Sequence, residues 1–108
     1  MQDSSNTYLM EHSDEAVRLD VKTNPDAVRE QALLCGIGPG ARVLDVGCGA
    51  GKAASVIKDI VGPAGSVVGV DYSPSRVKYA TEHYGKDANI RFELKDFTRP
   101  MEDLGTFD

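Results

Sequence analysis

The chain has 108 residues, about one small domain, and its 41% hydrophobic and 27% charged residues exclude a wholly disordered chain. Twelve Lys and Arg against 17 Asp and Glu give a net charge of −5, which on average repels phosphate backbones and argues against a sequence-independent grip on nucleic acid. Apolar runs are too short for a membrane span and no secretory pattern opens the chain; with two cysteines in no metal-type spacing, a cytoplasmic protein is expected.

Residues 1–7 are polar and aperiodic, and 1–23 reads as a leader with a short helix around 13–20. Asn24-Pro25 is a sharper signal. Asn caps a helix with its side chain, and proline at the first helical position has the right φ and wastes no N–H. Val28, Gln31, Ala32 and Cys35 then share a stripe that Leu33 and Leu34 widen, and Gly36 ends it, so the spacing predicts a helix over 25–35. After the Gly38-Pro39-Gly40 turn, Arg42 to Val46 reads as a strand covered on both faces, since Val43, Leu44 and Val46 do not alternate with polar residues.

Gly47 to Gly51 is a glycine-rich turn, and Lys52 to Val61 a helix with Ala53, Val56, Ile57 and Ile60 inward, stopped by Gly62-Pro63. Ser66 to Val70 is a second doubly covered strand, closed by Asp71-Tyr72. Ser73-Pro74 opens a further helix by the same cap-then-proline logic, with Val77, Ala80, Thr81 and Tyr84 inward and Gly85 at its end. Ile90 to Leu94 alternates, so this strand should have one covered and one wetter face. The alternation of helix and strand predicts an α/β fold: a parallel, Rossmann-like sheet with right-handed crossovers and helices on both faces.

The chemistry concentrates where the first strand runs through Asp45-Val46 into Gly47-Cys48-Gly49-Ala50-Gly51 and on into a helix. Glycines allow a tight turn and a close backbone approach to a ligand, and the helix start offers unpaired N–H groups. The dinucleotide fingerprint is Gly-x-Gly-x-x-Gly; here the third glycine comes one residue earlier, and Asp45 sits inside the strand. A carboxylate there would repel a pyrophosphate, whereas it suits a ligand carrying an ammonium or a sulfonium.

Leu44-Asp45-Val46-Gly47-Cys48-Gly49-Ala50-Gly51 resembles, position by position, the first motif of the class I S-adenosylmethionine-dependent methyltransferases, and the resemblance runs from about Asn24 to the end of the chain. It implies S-adenosylmethionine as cofactor, methyl transfer as the reaction, and cofactor contacts at Asp45, Gly47, Cys48, Gly49 and Gly51. Asp71, about 20 residues beyond the turn at a strand end, is where ribose hydroxyls would be held, with two O–H bonds to one carboxylate. Tyr72 would lie against adenine. By the same resemblance Asp96 takes the adenine amino group, and the backbone N–H of Phe97 a ring nitrogen. Tyr8 and Arg18 would belong to a segment folding over the cofactor, which the family often has. Cys48 has no His or Asn pattern beside it to make it a nucleophile, and His12 and His83 are isolated.

The family's sheet has seven strands in the order 3-2-1-4-5-7-6, and only the first three are visible here, in the order 3-2-1. The domain 24–108 is therefore expected to be a cofactor-binding half, truncated before strand four and inactive alone, with the acceptor pocket and any base elsewhere. Its first strand would lie at an open apolar edge, so self-association is expected. The acidic balance favours a small-molecule acceptor. Two other readings stay open: a non-catalytic module that binds S-adenosylmethionine or S-adenosylhomocysteine, and a NAD(P)-dependent oxidoreductase with a shortened glycine loop.

Overall fold

Asn24 begins the first full helix by accepting hydrogen bonds on Oδ1 from the N–H groups of Asp26 (3.0 Å) and Ala27 (3.3 Å), with Pro25 in the first turn. The structure, a computed structural model, describes residues 17, 21–96 and 105–107. Of the helix expected around 13–20, Val17 is helical, as are Val21 and Lys22 just beyond it; Tyr8, His12 and Arg18 lie outside the described residues. Helix α1 is Pro25–Leu34, one residue shorter than expected, and Gly36 follows at φ +86°. Only Ala32 of α1 is buried; Leu33 and Leu34 are 58% and 81% exposed and do not widen the stripe. The reason is tertiary: α1 packs mainly on one neighbour, the next helix, so a single narrow contact seals a single residue.

Strand β1 (Arg42–Val46), helix α2 (Lys52–Val61), strand β2 (Ser66–Asp71), helix α3 (Pro74–Tyr84) and strand β3 (Ile90–Leu94) follow in the expected alternation. The three strands are parallel in the order β1-β2-β3, with Asp45 paired to Gly69 and Gly69 to Phe92. β2 is buried from Val67 to Asp71, and β3 alternates between buried Ile90 and Phe92 and the exposed Arg91. β1 departs from the doubly covered strand expected: both ends are exposed and Val46 is 50% exposed. Its outer edge carries no strand among the described residues.

One face of the sheet holds Val67, Ile90 and Phe92, and α2 and α3 close over it with Ala54, Val61 and Ala80. The other face holds Val68 and Val70, against which Leu44 and Phe107 pack. Because α1, the sheet and α3 all touch α2, its buried residues are Ala54, Val56 and Val61, while Ala53, Ile57 and Ile60 are half-buried. On α3, Ala80 is fully buried, Val77 and Tyr84 half-buried, and Thr81 exposed rather than inward. This frame brings the carboxyl ends of all three strands to one rim, the end of an open α/β sheet at which ligands bind.

Candidate functional site

The glycine turn folds onto the end of β2. The N–H groups of Gly47 and Cys48 both donate to the Val70 carbonyl, at 2.8 and 2.9 Å, and Gly51 N–H donates to the Cys48 carbonyl at 3.1 Å. Gly51 is doubly constrained. Its φ is +92°, and a Cβ there would come within 2.7 Å of Ala80 Cβ and 2.9 Å of Phe92 Cζ. Gly47 is left-handed too, at φ +72°, but open space surrounds it, so its constraint is conformational alone.

Asp71 ties this turn to the next helix. Its Oδ2 accepts from Gly49 N–H (3.0 Å), and its Oδ1 accepts from Ser73 N–H (2.9 Å) and from Arg76 Nε (3.1 Å). The residue is only 3% exposed. A carboxylate has about four acceptor directions, so these three donors hold it in one orientation and leave one direction on Oδ2. Ser73 caps α3 by accepting from Arg76 N–H on its hydroxyl (3.4 Å).

Asp45 lies one strand away and is treated oppositely. Its Oδ2 is buried and has no hydrogen-bond partner among the described residues. Burial, and then the neighbouring charge of Asp71, push its carboxyl up from 3.8 to about 6. Native proteins rarely leave a buried acceptor unpaired, and this one belongs to the penultimate residue of β1, two residues before the glycine turn. Cys48, 8% exposed, is buried beside Gly69, and burial followed by the charges of Asp45 and Asp71 pushes its thiol up to about 12. It is a packing residue of the turn rather than a nucleophile.

Tyr72 is 67% exposed at the end of β2, with the Arg76 guanidinium 5.1 Å from its ring centroid. Lys95 N–H donates to the Asp71 carbonyl at 3.0 Å, which keeps the end of β3 beside the end of β2 and puts the exposed Asp96 on the same rim. Phe97 lies outside the described residues. The fold thus brings together Asp45, the glycine turn, Asp71, Tyr72 and Asp96. Arg76 was not singled out from the sequence; its contact spans five residues and depends on how the chain turns from β2 into α3, which no periodicity encodes. A hollow of about 530 Å³ lies instead at the opposite ends of the strands, lined by Lys58, Ser66, Asp87 and Asn89 among others. There Lys58 pairs with Asp87, and Asn89 donates to the carbonyls of Lys58 and Gly62, so those groups serve each other.

Residues 37–108 match the methyltransferase domain family. The chain belongs to the class I S-adenosylmethionine-dependent methyltransferases. Juvenile hormone acid O-methyltransferase of Drosophila melanogaster is 34% identical to this methyltransferase chain over 107 residues, covering 93% of this chain and 35% of that protein. Among solved structures, a protein-L-isoaspartate O-methyltransferase superposes with a TM-score of 0.69 at 29% identity, over 81% of this chain and 28% of that one. Fibrillarin of Aeropyrum pernix, solved with natively bound S-adenosyl-L-methionine, superposes with a TM-score of 0.52 at 32% identity, over 56% of this chain and 26% of its own. The chain spans about a third of the length of the curated relative from Drosophila.

The cofactor of this methyltransferase family is S-adenosylmethionine, and the residues at the rim fit it. A cationic ligand answers the orphaned Asp45 oxygen, and a turn built from left-handed glycines lets a bulky ligand lie against the backbone. A pyrophosphate would meet two carboxylates instead.

Proposed function

We propose that this chain forms the cofactor-binding part of a cytoplasmic enzyme that transfers a methyl group from S-adenosylmethionine to a small-molecule acceptor. The observation that carries the reading is the buried Oδ2 of Asp45, unpartnered among the described residues, two residues before the glycine turn that Asp71 holds. When bound, S-adenosylmethionine supplies an electrophilic methyl carbon on a sulfonium. Asp45 then serves as the counter-charge for the ligand's cationic end. Gly47, Cys48, Gly49 and Gly51 offer backbone at close approach. Asp71 has one acceptor direction left on Oδ2 for a ribose hydroxyl, so the two-bond contact expected from sequence would require Gly49 N–H to move aside. Tyr72 offers an exposed ring to adenine, Asp96 an acceptor for its amino group, and Phe97 a backbone N–H for a ring nitrogen.

What these residues contribute to rate is alignment and exclusion of water from the cofactor's far side. The open edge of β1, with Val46 half exposed, supports self-association of the chain. Isothermal titration of S-adenosylhomocysteine, with NADH and an Asp71→Ala variant as controls, tests the binding reading. Saturable heat with the first ligand alone, weakened in the variant, is the expected result. Binding of NADH and not of S-adenosylhomocysteine would overturn it.

A further inference from the structure

Arg76 touches two candidate site residues at once. Its Nε donates to Asp71 Oδ1 at 3.1 Å, with the two side chains 13% and 4% exposed, and its guanidinium sits 5.1 Å from the Tyr72 ring centroid. Such a pair lies out of bulk water, where a charge-assisted contact fixes direction as well as charge. It sits on α3 just inside the Ser73 cap, so the helix start and the carboxylate are held as one unit. It also places positive charge beside Asp71, one of two neighbouring carboxylates that repel each other.

We propose that Arg76 is the positioning residue of the adenosine end of the site, fixing the Asp71 carboxylate for the ribose and backing the Tyr72 ring for the base. The proposal rests on the cofactor reading above. By occupying Oδ1, Arg76 and Ser73 N–H turn Oδ2 toward the glycine turn, which is the oxygen with an acceptor direction left for a ligand. The guanidinium beside the exposed Tyr72 ring holds that ring in place, where a planar group such as adenine could meet it. Arg76 itself touches no ligand atom in this arrangement; it acts through its two neighbours.

The test is a cycle of Arg76→Ala, Asp71→Asn and the double variant, titrated with S-adenosylhomocysteine and with 5′-methylthioadenosine, which has the adenosine end but no amino-acid end. Arg76→Ala should weaken both ligands by the same factor, about tenfold to a hundredfold. In the Asp71→Asn background the same change should cost under about threefold, because only the contact with Tyr72 is then left to lose. A merely structural arginine would weaken binding equally in both backgrounds, and that result overturns the proposal. So does a loss seen with S-adenosylhomocysteine and not with 5′-methylthioadenosine. Breaking a buried pair can unfold a protein, so Arg76→Lys carries the same measurements: it keeps the charge without the planar fork and should fall between wild type and Ala. Silence of the wild-type protein toward both ligands would remove the cofactor reading and this proposal with it. Binding by the wild type, undiminished in the Arg76 variants, would remove this proposal alone.

Discussion

Asp45→Asn should make the ligand-free protein more stable at neutral pH while harming its site. An aspartate in an unfolded chain ionises near 3.8, and in the folded protein burial and Asp71 raise this to about 6. Between those values the native state holds a proton that the unfolded chain has released, so stability falls as pH rises from about 4 through about 6. The gap corresponds to about 3 kcal/mol at pH 7, reduced to about 2 for a residue that keeps some exposure. Asn removes the charge but leaves its own polar atoms short of partners, so the net gain is about 1–2 kcal/mol. Urea unfolding of both proteins at pH 4 and pH 7.5 measures it. The variant should equal or fall slightly below wild type at the lower pH and exceed it at the higher. An equal difference at both pH values, or a loss at pH 7.5, would refute the assignment of a destabilising charge to Asp45.

The same carboxyl predicts that S-adenosylhomocysteine binds more tightly as pH rises through about 6, because its ammonium favours ionised Asp45; titrations between pH 5 and 8 in wild type and Asp45→Asn should show the limb only in the former. Gly51→Ala should destabilise by about 2–5 kcal/mol, through a left-handed φ and a Cβ crowded by Ala80 and Phe92, whereas Gly47→Ala meets open space and should cost only about 1–2 kcal/mol; urea midpoints rank them. With its thiol pushed up to about 12 and buried, Cys48 should resist a disulfide-exchange reagent at pH 8 while the exposed Cys35 reacts, and both should react in denaturant. Sedimentation equilibrium should detect self-association through the open edge of β1, and a charged replacement of the half-exposed Val46 should weaken it.

What the sequence made legible was local. Asn24-Pro25 and Ser73-Pro74 each carry a cap and a pre-set φ within two residues, and both helices start there. The burial of β2 follows from Val67, Val68 and Val70 in the strand that the topology places centrally. What stayed hidden depends on which neighbour arrives. Leu33, Leu34 and Val46 have the same apolar chemistry as buried residues, yet the first two lie on a helix with one main packing partner and the third on an open edge. Asp45 announced itself by being an acid inside a strand, but that its Oδ2 meets no donor among the described residues is a property of three dimensions. Arg76 announced nothing, because its meeting with Asp71 is made by the turn between β2 and α3.

The hydrogen bond from Gly49 N–H to a carboxylate that is 3% exposed also bears on how the loop moves. A glycine-rich turn has more backbone freedom to lose than any other segment, and a ligand that had to freeze it would bind more weakly. Here Asp71 already holds the turn at Gly49, so part of this ordering precedes any ligand. The Gly49 amide should therefore exchange its hydrogen with solvent at the pace of the central strand rather than that of a surface loop, opening only when β2 and the start of α3 open with it.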